Sequence, residues 1–220
     1  MIGFYNYTVI LTYIGFVSTF LGMTYAISGK FLPAMFCLLV SGLCDMFDGV
    51  IARTHKKRSE DAKKFGIQID SLCDVICFGV FPAIINYTYT LHNNSSGKVL
   101  AICVSSFFVL AAIIRLGYFN VMEEKRQQTT TELRHSYQGV PVTTAALVIP
   151  CVFMLRQRFM ALDFVDFSYI VNGASAILGF LYITNIPIPK AHKRGIIMMT
   201  IMGVSMLVML ILQYNGVTNF

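Results

Sequence analysis

The sequence predicts an all-α fold: a polytopic transmembrane helical bundle of about 6–8 spans, with seven the best count. Three observations lead there. The chain is 56% hydrophobic and only 13% charged, whereas soluble domains carry about 25% charged residues. A soluble protein of this composition would need a very large apolar core, which 220 residues cannot enclose. The apolar residues also gather into seven stretches, and Lys and Arg concentrate in every second connection between them.

The stretches cover residues 8–28, 31–51, 69–91, 99–122, 140–155, 167–186 and 195–212. Several reach about 20 residues, the length a helix needs to cross the hydrocarbon. The fifth is short and draws on its flanks. Backbone groups in a bilayer must be satisfied within the segment, so helices are the expected form. Alternation of the β-barrel kind is absent from the sequence. The six cysteines form no CxxC pair and mostly lie inside apolar runs, as small packing residues do. The opening MIGFYNYT has neither a basic region nor a small-residue cleavage site, so no removable signal peptide is expected. With no internal repeat and no separate polar region, residues 1–220 read as a single membrane domain.

The connections set orientation. With the N-terminus in the cytoplasm, residues 53–64 carry six Lys or Arg, residues 123–136 carry three and residues 190–194 carry three. The opposite side has Lys30, Lys98, Arg156 and Arg158. This positive-inside bias places the basic loops, and any site beside them, in the cytoplasm. It also explains the net charge of +6 without nucleic acid as a partner. Lys56, Lys57, Arg58, Lys63 and Lys64 suit anionic headgroups. His55, His135 and His192 read as solvated loop residues. The polar 123–138 connection is expected to be the mobile element.

Four carboxylates break the apolar pattern. Asp45 and Asp48 end the second stretch, and Asp70 and Asp74 open the third. Spacings of three and four put each pair on one helix face. The basic connection makes the two helices antiparallel, so both pairs can meet at the cytoplasmic end. A charged group costs at least about 2.5–3.5 kcal/mol at the bilayer centre and less near the interface, where both pairs lie, and such groups generally serve function. Like charges this close need compensation. Hard divalent cations, Mg²⁺ or Mn²⁺, supply it, and a pair of ions about 3.5–4 Å apart is the usual clamp for phosphoryl chemistry. Gly49, Ala52 and Gly66 remove bulk beside the carboxylates, so that a base or phosphate can approach the backbone. Arg53 can hold a phosphate through two N–H groups.

The segment CDMFDGVIARTHKKRSEDAKKFGIQIDSLCD resembles the signature of the CDP-alcohol phosphotransferase family, D-x-x-D-G-x-x-A-R followed by G-x-x-x-D-x-x-x-D. Asp45, Asp48, Gly49, Ala52, Arg53, Gly66, Asp70 and Asp74 fill every fixed position. The spacer of twelve residues between Arg53 and Gly66 is longer than the family's usual one, and the extra length is polar and basic. The resemblance implies two divalent ions held by Asp45, Asp48 and Asp70, with Asp74 as general base and further ligand. It places Asp48, Gly49, Ala52, Arg53 and Gly66 around the CDP moiety, and it implies a homodimer.

Three patches resemble the phosphatidylserine synthase branch: DSLCDVICFGVFPA from Asp70, IRLGYFN from Ile114 and YQGVP from Tyr137. They imply CDP-diacylglycerol and L-serine as substrates. Arg115, the one Arg well inside an apolar stretch, is expected to bind an anion, either serine or a phosphate, with Asn120 and Gln138 as polar contacts. Glycerol 3-phosphate or inositol phosphate as acceptor remains an alternative. A divalent-cation transporter is another, although it would place its acids near the midplane. The expected setting is a prokaryotic cell membrane.

Overall fold

In the computed structural model, residues 9–54, 59–129, 136–156, 166–189 and 193–214 are described. Eight α-helices occur among them. They are α1 (Ile10–Ile27), α2 (Phe31–Thr54), α3 (Glu60–Asp74), α4 (Phe81–Asn93), α5 (Lys98–Thr129), α6 (Ala145–Met154), α7 (Phe167–Ile183) and α8 (Lys193–Tyr214). A π-helical turn, Val75–Val80, joins α3 to α4. The two therefore form one rod, and seven apolar helical segments result. Four of these are long and apolar enough to cross a membrane: Ile10–Ile27, Phe31–Asp48, Lys64–Asn93 and Lys98–Arg126. Three shorter apolar helices accompany them, Val142–Met154, Phe167–Ile183 and Thr200–Leu212. The chain is an integral membrane protein with an all-helical fold.

The burial pattern agrees with a lipid solvent. Val17, Phe20, Val99, Leu110, Ile177 and Phe180 point outward although they are large and apolar, an arrangement water would penalise. The interior holds Met35, Leu38, Phe78, Phe81, Ile85, Phe108, Ile149 and Tyr182.

Small residues set a close contact between α1 and α2. An added Cβ at Gly22 would lie 2.7 Å from the Cβ of Cys37, and one at Gly15 would lie 3.1 Å from that of Cys44. Thr19 donates to Ser41 at 3.0 Å between them. Lipid tails are as apolar as leucine, so close backbone approach and buried hydrogen bonds hold such helices together. Gly22→Ala is therefore expected to destabilise the fold by about 1–3 kcal/mol, read as a lower melting temperature in detergent. An unchanged melting temperature would show that the helices re-space without cost.

A polar cluster ties α4, α5 and α7 together inside the bundle. Asn86 donates to the Ser105 hydroxyl and to Oδ1 of Asn172, both at 3.1 Å. Asn172 donates in turn to Thr90 at 2.9 Å. Edge-to-face contacts among Phe31, Tyr89, Phe153 and Phe167 close the end of the bundle where α2 begins.

The structure shifts several expected boundaries. The third segment begins at Glu60 rather than near residue 69, because Ser59 accepts a hydrogen bond from the Ala62 amide and caps an amphipathic first half. α5 continues to Thr129, so helix replaces much of the connection expected to be mobile; residues 130–135 lie outside the described residues. The fifth segment contributes a short helix, since Pro141 and a 3₁₀ turn at Val142–Thr144 precede Ala145. A small antiparallel ladder, Ser136–Gln138 (β1) with Pro187–Pro189 (β2), also forms. Strands of three residues leave no period in a sequence.

Candidate active site

The four aspartates converge. α2 carries Asp45 and Asp48 toward its end, and the last turn of α3 carries Asp70 and Asp74. One carboxylate oxygen from each of Asp45, Asp70 and Asp74 lies within 4.8 Å of the other two. Asp45 lies beside Asp74, and Asp48 beside Asp70. Asp48 is buried and the other three are half-buried. Thr12 of α1 donates to Asp48 at 2.9 Å and fixes the orientation of that carboxylate.

The donor set suits a hard divalent cation. Ligand oxygens about 2.0–2.1 Å from one Mg²⁺ sit up to roughly 4.2 Å apart, close to the spacing present here. The cluster of Asp45, Asp70 and Asp74 can hold a divalent cation.

The rod α3–π–α4 explains why Asp70 and Asp74 point where they do. The Phe81 amide bonds back to the Ile76 carbonyl, five residues earlier. Pro82, which has no amide hydrogen, follows at once. Gly79 lets α5 approach: a Cβ there would lie 3.1 Å from that of Ala112. The aspartates thus leave the rod toward α2 while Phe78 and Phe81 fill the core. Turns of this kind are frequent at functional sites.

The remaining expected residues fall into three groups. Gly49, Ala52 and Arg53 occupy the last part of α2, one to five residues beyond Asp48, with side chains outside the described residues. Gly66 is half-buried in α3, one turn before Asp70. Asn120 of α5 donates to Ser71 at 2.9 Å, which links α5 to α3 right beside Asp70. Arg115 is buried; its Nε donates to the Val140 carbonyl and its Nη2 to the Gly139 carbonyl, both at 3.2 Å. Gln138 lies in β1, its side chain outside the described residues. The loop residues at 55–58 also lie outside them, as do His135 and His192.

Two features escaped the sequence reading. One is Thr12, an ordinary polar residue in an apolar stretch, which only the α1–α2 contact brings to Asp48. The other is a cavity of about 160 Å³ that opens beside Asp45. Leu39, Leu43 and Met46 of α2 and Leu147 of α6 give it apolar lining, and Asp45, Thr143 and Thr144 contribute polar groups.

A membrane bundle with an aspartate quartet at one helix junction defines a class. Residues 5–218 match the CDP-alcohol phosphatidyltransferase family, and the chain belongs to that family, which makes it a transferase. Among its relatives, the CDP-diacylglycerol–serine O-phosphatidyltransferase of Helicobacter pylori strain J99 is 34% identical over 179 residues, covering 80% of this chain and 70% of the relative. The archaetidylserine synthase of Methanothermobacter thermautotrophicus is 33% identical over 137 residues, 62% of this chain and 53% of that protein. The CDP-diacylglycerol–serine O-phosphatidyltransferase of Saccharomyces cerevisiae is 30% identical over 148 residues, 65% of this chain and 50% of the yeast protein.

Proposed function

We propose that this protein transfers a phosphatidyl group from CDP-diacylglycerol to the hydroxyl of L-serine, giving phosphatidylserine and CMP. The observation that carries the reading is the meeting of Asp45, Asp70 and Asp74 within 4.8 Å, with Asp48 against Asp70. The names of the relatives from bacteria, an archaeon and yeast support serine as the acceptor.

Each residue has a task in this reading. Asp45, Asp48 and Asp70 hold two divalent ions, Mg²⁺ or Mn²⁺, with Asp74 as a further ligand. Bound there, the ions would neutralise the pyrophosphate and spread the charge that builds on departing CMP. Gly49, Ala52 and Gly66 leave room for the cytidine and its phosphates, and Arg53 grips a phosphate oxygen. The apolar crevice beside Asp45 receives the start of the diacylglycerol, with the hydroxyls of Thr143 and Thr144 near its ester groups. Asp74 takes the serine hydroxyl proton as the new O–P bond forms in line and the bridging P–O bond to CMP breaks. Asn120 and Gln138 provide polar contacts on the acceptor side. Residues 1–220 act as one catalytic domain, working as a homodimer in a prokaryotic cell membrane. The quartet lies at the end of the bundle where the basic 53–64 connection joins α2 to α3, which supports a site facing the cytoplasm.

The test is CMP release from CDP-diacylglycerol by the purified protein in detergent with Mn²⁺ or Mg²⁺. Serine should drive release, while glycerol 3-phosphate and inositol phosphate should not. Release with one of those alcohols alone would replace the acceptor, and silence with every alcohol would overturn the reading.

A further inference from the structure

The segment 139–144 crosses from β1 to α6 and forms one side of the cavity at Asp45, through Pro141, Thr143 and Thr144. Its course is fixed at an unusual number of points. Gly139 has a left-handed backbone, φ +77°, a conformation that favours glycine. A Cβ there would lie 3.1 Å from the Thr184 carbonyl oxygen, 3.2 Å from that of Tyr182 and 3.3 Å from Arg115 Nε. Two of these neighbours are backbone atoms at the end of α7, which cannot swing aside. The Gly139 amide donates to the Ile186 carbonyl at 2.8 Å. Arg115 spans the Gly139 and Val140 carbonyls from α5. The buried Tyr182 hydroxyl donates to the Val142 carbonyl at 2.8 Å from α7. Beyond these anchors, Ala146 presses against α2 so closely that a Cβ on Gly42 would lie 2.6 Å from its own.

A guanidinium and a phenol buried in a membrane protein are costly to desolvate. Here both act on the backbone of one short segment, and that segment borders the cavity next to the carboxylates. We infer that Arg115, Gly139 and Tyr182 are positioning residues that hold segment 139–144 as a fixed wall for the diacylglycerol end of the donor lipid. The inference rests on the reading of the crevice as the donor's lipid site. Arg115 and Tyr182 act through carbonyl groups, so they touch the reaction only by way of the wall. Thr143 and Thr144 are the residues the wall presents.

The test separates the two substrates kinetically, in the full-length protein in detergent. Gly139→Ala should displace the wall and raise the apparent KM for CDP-diacylglycerol by about tenfold. The KM for serine should stay within about twofold. Tyr182→Phe keeps the ring and deletes one hydrogen bond, so it should fold normally and shift the same constant by about threefold. Arg115→Lys can reach one carbonyl at a time and should fall between the wild type and Arg115→Met. Equal losses for both substrates, or a lowered kcat with an unchanged donor KM, would sink the proposal. If the wild type shows no serine-dependent release, the functional reading has failed instead; active wild type with kinetically silent Tyr182→Phe and Gly139→Ala overturns the wall alone.

Discussion

Asp74→Asn is expected to lower kcat for serine-dependent CMP release by about 10²–10⁴-fold, the usual contribution of a positioned general base. The substitution keeps size and shape, so the helix and its packing should survive. What disappears is the negative oxygen that takes the hydroxyl proton. Asp74 is also one of three aspartates whose oxygens cluster within 4.8 Å, so the loss should lie toward the upper end of that range. Steady-state kinetics with both substrates varied would measure it. The donor KM should change far less than kcat, because the proton moves only in the transition state. A variant that retains more than about a tenth of wild-type kcat would remove Asp74 from the role of base.

Removing divalent metal should abolish activity, and the stability of the fold should report the same site without any turnover. Four carboxylates from two helices meet in one small volume. Their mutual repulsion opposes folding until a cation binds. Saturating Mn²⁺ should therefore raise the melting temperature. At a hundred times its Kd a ligand that binds only the folded state adds about 2.7 kcal/mol. Asp45→Asn relieves repulsion and weakens the site together. Its metal-free protein should melt at a higher temperature than metal-free wild type, and its gain from Mn²⁺ should be smaller. Activity lost to chelator should return with Mg²⁺ or Mn²⁺. If Asp45→Asn is less stable than wild type without metal, and gains as much from Mn²⁺, the quartet is not the cation site.

The sequence made the scaffold legible because the bilayer imposes a simple rule. Stretches such as 8–28 and 99–122 had to be helices once they were apolar and long enough, and helices stand there. The aspartates were legible for a complementary reason. Acidic pairs at spacings of three and four inside apolar segments have few uses, and helix geometry alone puts each pair on one face. Arg115 was visible as an outlier, but its partners were not. Gly139 and Val140 lie more than twenty positions away in the chain, and nothing local links a buried guanidinium to the carbonyls of a particular turn. Tyr182 and Thr12 escaped for the same reason, since each reaches the region of the site through one tertiary contact. The π turn was hidden too, because its residues read as an unbroken apolar run.

That turn has a consequence for how the protein can vary. A π turn holds one residue more than an α-helix would over the same stretch, and each helical residue advances about 100° around the axis. The segment Val75–Val80 therefore works as a gear between two halves of one rod. Upstream, Asp70 and Asp74 must face α2; downstream, Phe81 and Ile85 must face the core. Swapping side chains within the turn leaves that angular offset alone, whereas gaining or losing one residue rotates one half against the other by more than a quarter turn. The count of residues between Asp74 and Phe81 is thus as much a part of the site as the carboxylates are, a constraint on length written where only identity would normally be looked for.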